Sequence, residues 1–186
     1  MKDITLSKKL AFTALFSALC FVGTYAIPVA LPFGYFNAGD IFVLLSGWLL
    51  GPLFGAVAAG VGSALADVAL GYAAYAPATF VIKACVALVG RLAYAFFKKL
   101  LQRDALDFLP RLFAGVVAEA VMVAGYLFFE GVLLGLGAGA LASVLGNTLQ
   151  AACGVLGATA IVSALYPLPV VHKIFPSIEA FVGRVS

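Results

Sequence analysis

From Leu10 to Tyr166 the chain is an almost unbroken series of apolar runs, interrupted at Pro28 and Pro32, at Gly51-Pro52, before Pro77, and by one polar stretch from Gln102 to Pro110. Runs of this kind constrain the fold more than any motif does, because a helix needs roughly 20 apolar residues to cross the hydrocarbon of a bilayer. The 186 residues are 65% hydrophobic and only 10% charged, against about 25% charged in a soluble domain, and mean hydropathy is +1.16. A water-soluble globule of this composition would expose much of that apolar surface. A soluble enzyme and a nucleic-acid binder are therefore excluded, and an integral membrane protein remains.

The runs predict an all-α integral membrane protein: one compact bundle of six transmembrane helices over residues 1–186, with spans at about 10–27, 40–50, 52–71, 77–101, 111–135 and 137–166. Lys8 and Lys9 ahead of the first run could head a signal peptide, but Thr24-Tyr25-Ala26 is a poor cleavage site and everything downstream is membrane-like, so a retained helix is expected. The second run is short, since ten residues rise only about 15 Å. Joined to the third as one kinked helix, it would leave five spans. Charge placement arbitrates. Lys8, Lys9, Lys98, Lys99, Arg103, Arg111, Lys173 and Arg184 lie at the two termini and around the middle polar stretch, whereas loops 28–39, 71–77 and 134–138 contain no Lys or Arg. Six spans put every basic cluster on the cytoplasmic side, and both termini with them; five would expel the middle cluster.

Several chemistries have no signature here. Cys20, Cys85 and Cys153 are odd in number, sit in apolar runs and read as packing residues; the single His172 has no Cys/His cluster around it, so neither a metal nor another cofactor is expected. There is no G-x-x-x-x-G-K-[ST] loop, so any ATP-driven work through such a loop belongs to another chain. Gly51, Gly55, Ala59 and Ser63, and Gly131, Gly135 and Gly139, repeat every four residues and suit close helix packing. On the first span Ser7, Ala11, Ala14 and Ala18 form a narrow stripe of small residues. From spacing alone it faces either the bundle interior or a separate membrane partner.

Ionisable groups inside the spans carry the functional signal, since each costs roughly 2.5–3.5 kcal/mol to insert and has to be paired, wetted or used. Asp67, Lys83, Glu119 and Glu130 stand out, while Arg91 can snorkel from the cytoplasmic half of its span. Helical spacing places Ser63 with Asp67, Thr79 with Lys83, Glu119 with Met122, Tyr126 and Glu130, and Asn147 with Gln150, each set on one helix face and most toward the outer side. Phe33, Tyr35, Phe36, Tyr72, Tyr75, Tyr126, Phe128 and Phe129 crowd that side too, either as an interfacial belt or as walls for a flat polar ligand. Asp67 and Lys83 fall at similar depth on consecutive helices and suit a structural ion pair equally well. Asp40 is either a helix N-cap or a site group, Asn37 could be a turn residue, and Glu119, the deepest, could be protonated and bonded to backbone.

The segments Tyr35-Phe36-Asn37-Ala38-Gly39-Asp40, Gly51-Pro52, Gly62-Ser63-Ala64-Leu65-Ala66-Asp67 and Gly71-Tyr72-Ala73-Ala74-Tyr75-Ala76-Pro77-Ala78-Thr79, with Lys83, resemble the S components of energy-coupling factor (ECF) transporters, and within them the riboflavin-transporter-like branch. The resemblance covers nearly the whole chain. It implies a multi-pass protein of a prokaryotic plasma membrane that captures a water-soluble vitamin (riboflavin, or a pyridoxine- or pyrimidine-like micronutrient) in an outward-facing pocket under a first-loop lid. Such a subunit works with a membrane coupling protein, the T component, and two ATP-binding cassette ATPases, and is thought to topple in the bilayer. By this resemblance Asn37, Asp67, Tyr75, Thr79, Lys83, Glu119, Tyr126, Asn147 and Gln150 are substrate-binding residues, with Glu130 a further option, and Ala14 and Ala18 are the docking positions for the partner. No catalytic residue is expected. The alternatives are an intramembrane enzyme using Glu119 with Asp67 or Lys83, and a stand-alone facilitator.

Overall fold

The computed structural model describes residues 5–26, 29–30, 35–101, 107–175 and 178. Pro28, Pro32, Phe33, Arg103 and Arg184 lie outside them.

Proline and glycine set the helix boundaries. Helix α1 covers Leu6–Tyr25, α2 Gly39–Leu50, α3 Pro52–Ala69, α4 Ala76–Leu100, α5 Phe108–Phe128, α6 Leu141–Leu165 and α7 Pro169–Ile174. Pro52, Pro77 and Pro169 stand in first turns, where the missing N–H has no intrahelical partner to lose. Between α2 and α3 the chain reverses in a single residue, Gly51, at φ 86°. A side chain there would be strained. At its far end α5 passes into a π-helical turn, Phe129–Leu133, and a 3-10 turn, Gly137–Ala140, leads into α6. Two residue pairs, Val29↔Phe36 and Ala30↔Tyr35, form a minimal antiparallel hairpin (β1, Val29–Ala30; β2, Tyr35–Phe36) between α1 and α2.

Among the described residues five helical stretches are long and apolar enough to cross a membrane, and α2 is shorter. At 1.5 Å per residue its twelve residues reach only about 18 Å, yet they occupy the middle of the bundle. Helix α2 touches α1, α3, α4 and α6, and every residue from Val43 to Leu49 is buried. The longer helices pack around it in the order α1, α3, α4, α5, α6. Their outward faces carry exposed leucines, valines and phenylalanines, among them Leu53, Leu65, Phe96, Val116, Leu145 and Leu156. A monomer in water does not sustain so much apolar surface; a bilayer does. The six apolar runs thus form an all-α membrane bundle.

Polar groups gather at the two ends of that bundle. At the basic end Asp107, fully buried, collects the Tyr94 hydroxyl, the Lys98 ammonium and the Arg111 guanidinium, whose Nε donates at 3.0 Å. Asp107 itself holds φ 57° at the start of α5, a region that Asp tolerates better than most residues. Arg91 turns inward: it is 2% exposed, with its guanidinium 5.6 Å from the Tyr94 ring centre. It packs into the bundle beside Tyr94 and does not extend outward along its helix. Phe175, after α7, packs on Phe12 and Phe16 of α1, so the final segment closes this end.

Close backbone approach positions the opposite end. A Cβ on Gly154 of α6 would lie 2.8 Å from the Asp40 Cβ of α2, so only glycine lets these helices meet there. Gly154→Leu should destabilise the protein by about 1–3 kcal/mol through overpacking. Gly139→Ala, whose Cβ meets nothing nearer than 3.9 Å, should stay within about 0.5 kcal/mol of wild type. Thermal unfolding of the detergent-solubilised variants reads both.

Candidate functional site

The end opposite the basic cluster holds a cavity of about 110 Å³. Every helix from α1 to α6, or a turn beside it, contributes to the wall. Thr24 comes from α1, Asn37 from the turn before α2, and Ser63 and Asp67 from α3. Tyr72 and Tyr75 precede α4, which supplies Thr79 and Lys83. Tyr126 and Glu130 come from α5 and its π turn, and Ser143, Gly146, Asn147 and Gln150 from α6.

A chain of polar contacts forms the floor. The Lys83 ammonium is ion-paired with Asp40 Oδ1, and both side chains are nearly inaccessible. Asp40 Oδ2 accepts from the Gln150 amide, and Gln150 Oε1 accepts from Asn37 Nδ2 at 2.9 Å and from the Asn37 backbone N–H at 3.3 Å. Asn37 Oδ1 in turn accepts from the Gly39 N–H at 2.8 Å, which fixes the turn entering α2. Lys83 Nζ also lies 2.8 Å from Met122 Sδ on α5. One network therefore joins α2, α4, α5, α6 and the first loop. Sequence depth had pointed to Asp67 as the structural partner of Lys83; the ion pair forms with Asp40 instead, because α2 lies between the longer helices and carries its first turn to the level of Lys83. Asp40 is not the N-cap of α2 either; Ala38 holds that position.

Higher on the wall the Thr79 and Tyr126 hydroxyls are 2.9 Å apart, and the Lys83 ammonium sits 5.6 Å from the Tyr126 ring centre. Glu130 is held by the Ser143 hydroxyl and, at 3.5 Å, by the Tyr75 hydroxyl. Partial burial first, then the neighbouring Glu130, raises the Tyr75 phenol above its ordinary pKa, so it stays a donor. Tyr75 packs edge-on against Phe129, their ring centres 5.3 Å apart. The Ser63 hydroxyl is buried with no hydrogen-bond partner among the described residues. The π turn carrying Glu130 belongs to a class of helix irregularity common at functional sites.

Eight of the nine residues expected to bind substrate line this one cavity: Asn37, Asp67, Tyr75, Thr79, Lys83, Tyr126, Asn147 and Gln150. The ninth, Glu119, does not. It lies deeper on α5, 2% exposed, and neither carboxyl oxygen has a hydrogen-bond partner among the described residues, so the expected backbone bond is not formed. The same helix face explains this: Tyr126 and Glu130 reach the cavity, Met122 reaches Lys83, and Glu119 falls below the floor. Sequence reasoning passed over Thr24 and Ser143 as wall groups and left Asp40 between a helix N-cap and a site group. Ser143 was within reach, since Ser143, Asn147 and Gln150 share one α6 face by spacing of four and three. Thr24 lies on the side of α1 away from the small-residue stripe, where Ala14 and Ala18 are exposed. Among the described residues no group of three or more His, Cys, Asp or Glu is placed to hold a metal ion.

Comparison with known proteins gives three findings. A family model described as "ECF-type riboflavin transporter, S component" matches residues 5–167. An uncharacterized protein from the gap 3′ region of Pyrococcus woesei is 38% identical over 130 residues, which cover 70% of this chain and 81% of that protein. A crystal structure of the S-component for biotin from an ECF-type ABC transporter superposes with a TM-score of 0.62, covering 93% of this chain and all of the other, at 16% identity. At that identity the likeness speaks for the fold alone.

The floor network makes a prediction that needs no ligand. Lys83→Met strands the Asp40 carboxylate in the interior and should cost about 3–5 kcal/mol. Adding Asp40→Asn removes the stranded charge, keeps an acceptor for Gln150, and should recover most of the loss. Thermal unfolding of the single and double variants checks the difference.

Proposed function

The chain belongs to the ECF-type riboflavin transporter S component family, and on that premise we propose that it captures a water-soluble vitamin in the cavity above Asp40 and Lys83 for ATP-driven uptake by partner subunits. The observation that carries this reading is the placement of polar side chains. A bundle with an apolar exterior brings residues from five helices and the turn before α2 to one recess at the end whose loops lack Lys and Arg. By the charge rule that end is extracellular, and both termini lie in the cytoplasm of a prokaryotic cell.

In this reading Asn37, Thr79, Asn147 and Gln150 orient the ligand by hydrogen bonds, Tyr72, Tyr75 and Tyr126 supply ring surface, and Asp67, Lys83 and Glu130 set the electrostatics. The hairpin before α2 lies beside α6 and serves as the lid. The floor network is already formed, so little ordering is left to offset when a ligand binds.

The partners are a membrane T component and two ATPases, consistent with a chain lacking an ATP-binding loop. We place the docking surface on α1, where Ala14 and Ala18 face outward with Leu15 and Val22 while Phe16 and Cys20 face the core. Small side chains there let a second helix backbone approach closely.

Titration of the detergent-solubilised chain against a panel of B vitamins tests capture directly. One member should bind, and Asn37→Ala with Gln150→Ala should weaken it by about 10- to 100-fold. Ala14→Trp should abolish uptake by the assembled transporter and leave ligand affinity unchanged. A fall in affinity with assembly intact would place α1 at the binding site instead.

A further inference from the structure

A hydroxyl on a helix can bond back to its own backbone. Thr13 donates to the Lys9 carbonyl at 2.8 Å, Ser46 to Val43 at 2.7 Å and Thr148 to Val144 at 2.7 Å. Ser63 on α3 does not follow them. It is 1% exposed, and its hydroxyl has no hydrogen-bond partner among the described residues. A buried polar atom left in this state is costly and needs a reason. The hydroxyls of Thr159 and Ser163 on α6 share the condition, but only Ser63 of the three borders the cavity.

Helical geometry fixes the direction in which Ser63 faces. A Cβ on Gly60 would lie 2.8 Å from the Phe80 carbonyl oxygen of α4, and a Cβ on Gly62 would lie 2.8 Å from the Cys20 Cβ of α1. At about 100° per residue, Ser63 falls in the arc between these two contacts and faces the bundle interior. Asp67, one turn further along the same face, borders the cavity as well, and α1, packed against α3, adds Thr24 to this side.

The wall formed by Thr24, Ser63 and Asp67 therefore carries two hydroxyls and a carboxyl group and no ring. A hydroxyl both donates and accepts, and a carboxylate accepts at about four positions, so Asp67 can receive a further donor beside the contacts it already makes. A ligand group that satisfies this side has to accept and donate at once. A carbonyl only accepts and an ammonium only donates, whereas a hydroxyl does both. Ring surface comes from elsewhere. Tyr126 stands on α5, which α4 separates from α3, and Tyr75 packs on Phe129 in the π turn beyond α5.

Within the vitamin-capture reading, on which this rests, we propose that Ser63 and Thr24 form a hydroxyl-recognising subsite: the ligand lays its ring against Tyr75 and Tyr126 and directs a hydroxylated aliphatic arm toward α1 and α3. Ser63 then gains the partner it lacks in the empty bundle, and the arm donates in turn to Asp67.

Equilibrium titration of the purified full-length chain tests this with two matched pairs, riboflavin with lumiflavin and pyridoxine with 4-deoxypyridoxine. In each pair the second member has a methyl group in place of a hydroxylated arm. In the pair that binds, the hydroxylated member should bind more tightly. Ser63→Ala and Thr24→Val should each lower its affinity by about 3- to 10-fold and leave that of the methyl analogue unchanged. Ser63→Ala should also leave the unfolding temperature of the ligand-free protein unchanged or raise it, because the hydroxyl it removes has no partner there. The subsite is overturned, with vitamin capture standing, if the methyl analogue binds as tightly, if the variants weaken both members equally or neither, or if the chain binds a B vitamin that has no such arm. If no B vitamin binds, capture itself falls and the subsite with it.

Discussion

An ammonium and a carboxylate buried together in a lipid-embedded bundle stabilise it only when each stays within reach of the other. Lys83 and Asp40 meet this condition across two helices that are not neighbours in sequence. Neither could be inserted alone without a cost of a few kcal/mol, so the depth and rotation of α2 against α4 are set together. The remaining lone pairs of Asp40 and the amide of Gln150 then fix α6, and Asn37 fixes the first loop. The cavity is the space left above a floor that is satisfied internally, and its position follows from that floor.

The opposite end uses the same chemistry for another purpose. Asp107 draws Tyr94, Lys98 and Arg111 together where α4 and α5 are joined, and the segment after α6 folds back on α1 through Phe175. None of these groups lines the recess at the other end. Here the charges close the bundle, whereas at the other end they surround a space.

Much of this was legible in the residues. Helical spacing placed Thr79 with Lys83 and Asn147 with Gln150, and all four line the recess. The unusual cost of a charged group in an apolar run made Asp67, Lys83 and Glu130 visible at once. Spacing says nothing of how one helix is rotated against another, so the partner of Lys83 was beyond its reach. Asp40 stayed ambiguous because an acid at a helix start has a local explanation as well, and Glu119 lies outside the recess because one face of a long helix runs past the floor as well as along the wall. Arg91 faces inward because Tyr94 and the groups around Asp107 lie on that side, a fact of packing that no single helix reveals.

Helix α2 is too short to cross a membrane, and this has a consequence for any solute that enters. Below Asp40 its remaining turns are sealed by Leu44, Trp48 and their neighbours, all fully buried, with the Trp48 indole N–H bonded to the Gly90 carbonyl at 3.0 Å. Among the described residues the recess is therefore a cup standing on a packed stem. A solute held there would meet the buried side chains of α2 beneath it and open space only above it.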